Sequence, residues 1–356
     1  MRAIYRKHSV VYQGKNAPLR NHQFNPPPTA ATIEERKQEE STVNFFPSLL
    51  NALPGALAQG LIWGLMAIGV YITFKVLDLA DLTVDGTMCT GGAVCIILMT
   101  HGVNVWVAML CAFIAGMIAG AVTGLFHTVM GIPAILAGIL TQLALFSMNL
   151  RIMGGKANQA INPDKYDLLV SLRNVKKLSF ENPILVTLIF TAVVIALLYW
   201  FFGTEVGSGI RATGANPNMS RAQGINVDRN KVLGLMLSNG IVALSSALYT
   251  QYQGFADVNA GRGAIVIGLA AVIIGDVIFS RIFRNFALKL VSVSIGAVIY
   301  YVVIQIVLTM GLNSNDLKLF SALVVAVFLA VPYWKSKHTR SKVKPAAAAA
   351  KEAPHA

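Results

Sequence analysis

The chain has 356 residues, of which 55% are hydrophobic and 13% charged, and its mean hydropathy is +0.61. Soluble domains carry roughly 45 to 50% apolar and about 25% charged residues, so an ordinary soluble fold is excluded. The net charge of +13 sits at the ends: residues 1–44 hold seven Lys/Arg against four Glu, and residues 335–356 hold six against one. That is the pattern of basic flanks on a membrane protein, and it argues against a nucleic-acid-reading surface.

In chain order, residues 1–44 are polar, contain Pro26, Pro27 and Pro28, and lack the apolar core of a signal peptide. They read as a disordered cytoplasmic tail. Apolar segments follow at 53–76, 83–100, 104–126, 132–152, 183–203, 231–252, 264–280, 286–310 and 317–334. A bilayer span needs about 20 apolar residues at 1.5 Å each. The stretch 182–203 carries no charge and 286–311 only Lys289, both too long and uniform for strands.

The segment 83–100 is entered through Asp78-Leu79-Ala80-Asp81-Leu82-Thr83-Val84-Asp85-Gly86, and Thr87, Thr90, Gly91 and Gly92 dilute its first half. It reads as re-entrant or broken. The expected fold class is an all-α integral membrane protein with about eight transmembrane helices plus that one segment, spanning 45–334, followed by a disordered basic tail at 335–356. Eight crossings with both termini cytoplasmic place 20 of the 29 Lys/Arg inside. One loop opposes the rule: 151–182, external in this arrangement, carries Arg151, Lys156, Lys165, Arg173, Lys176 and Lys177.

Ala80-Asp81-Leu82-Thr83 is echoed by Ala256-Asp257-Val258-Asn259, each pair lying between a long apolar segment and a Gly-containing one. Repeats with interrupted helices are a common way to build a transport path. Asp81, Thr83, Asp85, Asp257 and Asn259 are therefore the candidate translocation-path residues. Two readings stand for the carboxylates: helix caps, or an external mouth that favours an amine-bearing solute. Gly116, Gly120 and Gly124 recur every fourth residue, which suits close helix packing inside the chain or at a dimer interface. Asp276 with Arg281 and Arg284 reads as an interfacial charge cluster, and Cys89, Cys95 and Cys111 as packing residues.

No phosphate loop, HExxH, GxSxG or Cys/His metal cluster occurs, so no catalytic, metal or cofactor residues are assigned. The most specific signal lies in 204–231. There Asn216 is a good N-cap, Pro217 suits the first helical position and Gly224 suits a left-handed turn after the last, giving a helix of about seven residues.

Arg211-Ala212-Thr213-Gly214, Asn216-Pro217, Ala222 and Gly224-Ile225-Asn226 before Lys231 resemble the cytoplasmic coupling loop of ABC-importer permeases of the branched-chain amino acid and ribose type. Gly60-Leu61-Ile62-Trp63-Gly64 resembles that family's opening span. Asp81-Leu82-Thr83-Val84-Asp85-Gly86 and Gln253-Gly254-Phe255-Ala256-Asp257-Val258 resemble a bacterial subgroup linked to uptake of amino acids, including aromatic ones.

The resemblance implies a permease subunit in the bacterial plasma membrane that moves a small solute, an amino acid, delivered by an external solute-binding protein. ATP would be hydrolysed by cytoplasmic ABC ATPase subunits and not by this chain. A second permease copy, as a homodimer, and membrane lipid complete the expected partners, with no nucleic acid. Arg211, Gly214, Asn216, Pro217, Ala222 and Gly224 are the implied ATPase-coupling residues. The alternative is an ion-coupled secondary transporter built on Asp81, Asp85 or Asp257; it has no need of a coupling loop.

Overall fold

A computed structural model of the chain describes residues 30–163, 165–175, 182–279, 282–283, 285–310, 316, 319–328 and 330, with side chains from residue 46. Of the expected tails, residues 1–29 and 331–356 lie outside the described residues. Residues 30–44 are helical, the start of α1 (Ala30–Tyr71). The Glu, Lys, Gln and Arg content of that stretch favours helix.

Seven helices among the described residues are long and apolar enough to cross a membrane. The first is Phe46–Val76, which runs through α1 and a π-helical turn at Ile72–Val76; the others are α2 (Thr83–Thr100), α3 (Val105–Thr128), α4 (Ala134–Ile152), α5 (Pro183–Gly203), α8 (Val227–Gln253) and α10 (Phe286–Thr309). Shorter apolar helices are α9 (Ala264–Phe279) and α11 (Leu319–Phe328). Between α5 and α8 lie α6 (Glu205–Ala215) and α7 (Pro217–Ala222). Each of the nine expected apolar segments overlaps one of these helices, and the chain is an all-α integral membrane protein.

Helix α8 is the centre of the packing. It runs antiparallel to α1, with Ser238 Oγ donating to the Gly69 carbonyl and Ser245 Oγ to the Ile62 carbonyl, both at 2.7 Å. It runs parallel to α2, where Thr87 Oγ1 donates to Asn239 Oδ1 at 2.7 Å and Gly91 lies on Ala243. On a third side, Gly116, Gly120 and Gly124 of α3 lie against Asn239, Leu235 and Val232, and a Cβ at Gly124 would come 2.9 Å from the Val232 Cα. The glycine stripe is thus an internal contact, where small residues let two backbones meet and interhelical Ser/Thr bonds supply the polar grip. Around α1, Gly60 and Gly64 meet Val298 and Ser294 of α10, and Gly275 of α9 meets Ser292.

These contacts fix two ends. The loop bearing α6 and α7 adjoins the start of α8 and the end of α1, where Gly214 packs on Val76. Tyr252, at the far end of α8, donates its hydroxyl to the Gly55 carbonyl. The first span therefore begins at the end away from α6 and α7, whereas the eight-crossing expectation begins it on their side.

The reason lies in α2. It is one uninterrupted helix of 18 residues, about 27 Å long. It leads from Leu82 beside Gly138, near the α6–α7 end, to Thr100, whose carbonyl accepts from Tyr166 in the loop at the opposite end. The irregularity expected within the segment lies ahead of it, at Leu77 to Leu82, where Asp78 adopts φ 55°. Thr87, Thr90, Gly91 and Gly92 are buried against neighbouring helices and do not weaken it.

Candidate functional site

The loop between α5 and α8 folds into two helices. In α7, Asn216 Oδ1 accepts from the Met219 amide at 3.0 Å, Pro217 opens the first turn, and Gly224 closes the helix at φ +79° while Ile225 N–H returns to the Ser220 carbonyl at 3.0 Å. These are the caps the sequence predicts. Pro217, Asn218, Met219, Arg221 and Ala222 are all exposed, Met219 to 57%, so α7 stands out as a short knob on the bundle.

Behind it, α6 is locked in place. A Cβ on Gly214 would reach the Val76 carbonyl and come 2.9 Å from the Leu77 Cα. Thr213 Oγ1 accepts from Asn230 Nδ2 of α8 at 3.1 Å. The Arg211 guanidinium lies over the Phe286 ring of α10 at 5.6 Å. Gly214 therefore packs into the bundle and Arg211, itself exposed, lies across its surface, while Asn216, Pro217, Ala222 and Gly224 shape and expose the knob. Helix α6 thus joins α7 to the ends of α1, α8 and α10.

The five candidate path residues do not form one group. Asp81 is 2% exposed; its carboxylate accepts from Asn239 Nδ2 at 2.7 Å and from the Thr83 amide at 2.9 Å. Thr83 is buried too, 2.7 Å from Thr123 Oγ1, which in turn bonds Thr141 at 2.9 Å. This network ties α2, α3, α4 and α8 together.

Asp85 is half-buried and caps a distant helix: its two oxygens accept from the Gly263 and Ile265 amides at 2.9 Å, at the amino end of α9. Asp257 is half-buried and Asn259 exposed, in the irregular stretch between α8 and α9. Asp257 Oδ1 accepts from the Asn259 amide at 2.8 Å, the same two-residue turn that Asp81 makes with Thr83. The sequence echo thus has a local structural counterpart in two different surroundings.

A protein-family model described as the branched-chain amino acid transport system permease component matches residues 53–332. The chain belongs to this permease family. A tyrosine transport system permease protein of Clostridioides difficile (strain R20291) is 37% identical over 281 residues, covering 79% of this chain and 91% of the relative. An uncharacterized protein of Rickettsia prowazekii (strain Madrid E) is 33% identical, covering 79% and 97%. More distantly, the ribose import permease protein of Escherichia coli (strain K12) is 27% identical, covering 65% and 70%.

This permease is accordingly the membrane subunit of an ABC importer and a transport component, a reading that fits better than an ion-coupled transporter. Its family works with ATPase and solute-binding subunits in general.

Three parts of the site lie beyond what the sequence reading found. Helix α6 is one. Asn239, which holds Asp81 and Thr87 together, is another. The third is Arg262, exposed near Asp85 and Asp257, with its guanidinium 5.9 Å from the Phe146 ring. Thr204 before Glu205 was the available signal for α6, since its Oγ1 accepts from the Gly207 amide.

In the basic loop at the opposite end, Asn158–Ala160 pairs antiparallel with Phe255–Asp257, and Arg151, Lys156, Lys165 and Arg173 are exposed. Lys176 and Lys177 lie outside the described residues, as do Arg281 and Arg284. Asp276, expected to cluster with those two arginines, binds Lys75 at 3.1 Å.

Proposed function

We propose that this permease carries an amino acid, of the aromatic kind, across a bacterial plasma membrane, and that a cytoplasmic ATPase drives it through α7. The observation that carries the coupling half is the exposed, doubly capped knob of α7 on a braced α6. An apolar, short-stemmed surface of Met219 and Ala222 suits a groove in a partner, and rigid bracing lets closure of that partner be felt in the bundle. The tyrosine permease relative supports an amino-acid solute. The half-exposed Asp257 with Asn259 and Arg262 supplies a carboxylate and a guanidinium for the two charged groups of such a solute.

On this reading a second copy of the chain completes the path, α6 and α7 face the cytoplasm, and a solute-binding protein docks at the other end. The exposed cations Arg151, Lys156 and Lys165 would steer acidic lobes of that protein, and docking would weaken with salt. The test is reconstitution with the cognate ATPase and binding protein. Ala222→Trp, at an exposed position, is expected to abolish solute-stimulated ATP hydrolysis and uptake while the permease inserts and folds. Normal uptake by that variant would refute docking through α7.

A further inference from the structure

We propose that an anionic phospholipid occupies a groove between α5 and α10, with its acyl chains against the two helices and its phosphate held by Arg211 and Lys289 beside the coupling loop. Three cavities that share residues make up the track. The first, about 490 Å³, is lined by Leu188, Ile195, Tyr199, Val291, Ile295 and Val298. The second, about 410 Å³, shares Tyr199 and lies among Trp200, Phe202, Arg211 and Phe286. The third, about 730 Å³, shares Arg211 and Phe286 and adds Lys75 and Lys289.

The dimensions suit one leaflet. From Leu188 to Tyr199 is eleven residues of helix, about 16 Å, close to half of a ~30 Å hydrocarbon core. The lining over that length is almost wholly apolar. At its mouth Tyr199 and Trp200 are 58% and 71% exposed, the position in which aromatic side chains mark the membrane–water boundary. The cations begin where the aromatics end.

Charge identifies the headgroup. Lys75 is paired with Asp276 at 3.1 Å, and Asp78 also lines the third cavity. Arg211 and Lys289 have no carboxylate partner among the described residues, and both are exposed. Between them α10 starts at Phe286, and the Asn285 side chain accepts no bond from its first amides, so the positive end of that helix opens toward the same place. Basic pockets between spans are the usual seat of anionic headgroups. A second permease copy meeting this face symmetrically would instead set Arg211 and Lys289 against like charges. A lipid so seated joins α5 and α10 to α6 and bears on the helix that braces the coupling knob.

The test uses the purified permease complex, delipidated and then titrated with phosphatidylglycerol or phosphatidylcholine, with bound lipid counted by native mass spectrometry. Preferential retention of phosphatidylglycerol is expected. Arg211→Gln with Lys289→Gln should weaken it by about five-fold for each cation removed, with phosphatidylcholine unaffected, whereas Lys289→Arg should retain it. Ala196→Trp, which fills the groove from an exposed position, should reduce retention of both lipids.

Equal retention of the two lipids by the unaltered permease would overturn the proposal, as would an unchanged preference in the double variant. Displacement of the lipid by inorganic phosphate alone would reduce the site to a free-anion cleft and discard the groove. Efficient disulfide formation between two copies carrying Leu188→Cys would show that a second copy covers the face instead.

Discussion

The Asp85 carboxylate on α2 accepts from the Ile265 amide at 2.9 Å, so a side chain 180 residues earlier in sequence caps the amino end of α9. A second oxygen takes the Gly263 amide, and the irregular stretch after α8 is thereby pinned against the first turn of α2. The first amides of a helix have no partner within it, and Asp85 supplies one from another helix.

Removing that cap should therefore be felt as stability. Asp85→Ala is expected to destabilise the permease by roughly 0.5–2 kcal/mol, the usual cost of a lost N-cap, and Asp85→Asn by less, since one acceptor oxygen remains. Thermal unfolding in detergent measures it, and identical midpoints for all three proteins would show the cap contributes nothing.

The two echoed aspartates should part company. Asp81→Ala leaves the buried Asn239 amide with only the Leu235 carbonyl to bond and removes the acceptor of the Thr83 amide, and is expected to cost about 1–3 kcal/mol, seen as lower folded yield. Asp257→Asn, at a half-exposed position, should leave folding intact and slow uptake of an amine-bearing solute. If Asp257→Asn transports normally at matched expression, Asp257 has no part in the path.

Gly120 tests which contact the glycine stripe serves. A Cβ there would lie 2.9 Å from the Met236 Cα, so Gly120→Leu should destabilise the fold by at least the ~1–3 kcal/mol of an overpacked core. A variant that stays as stable as the parent but loses its dimer would transfer the stripe to a subunit interface.

Gly224 separates shape from bulk in the α7 knob. Its φ of +79° is a conformation that costs an ordinary L-residue about 1–2 kcal/mol and a β-branched one more. Gly224→Val should thus distort the exit from α7 and uncouple ATP hydrolysis from uptake, whereas Gly224→Asn, which tolerates that region, should retain most activity. Equal activity of the two variants would mean that the turn does not matter for coupling.

Topology offers a direct measurement. Leu50 and Met219 are 56% and 57% exposed at opposite ends of the bundle. Single cysteines placed there are expected to react with an impermeant thiol reagent from opposite sides of the membrane. Labelling of both from one side would restore the arrangement in which the first span starts beside α6 and α7.

Local physics was readable from the sequence wherever a few consecutive residues carry the whole cause. Asn216, Pro217 and Gly224 define a short helix by capping and backbone preference alone, and all three behave as expected. The nine apolar segments needed only length and lack of charge. Helix α6 escaped because Gly207, Gly209 and Gly214 lower helix propensity, yet Gly214 is there for close packing on Val76 and Leu77. Sequence cannot tell a glycine that loosens a loop from one that admits a neighbouring backbone.

What the tertiary structure alone decided is where the polar residues point and which end each helix starts from. The motif around Asp81 and Asp85 looked like one patch, but the helical turn between them sends Asp81 to Asn239 inside the bundle and Asp85 to the amides of α9. The direction of α1 followed from its register with α8, fixed by Ser238 on Gly69 and Ser245 on Ile62. Charge counting starts the first span on the side of α6 and α7 and the α1–α8 contacts start it at the other end, because loop charges do not report how two long helices meet through their small polar side chains.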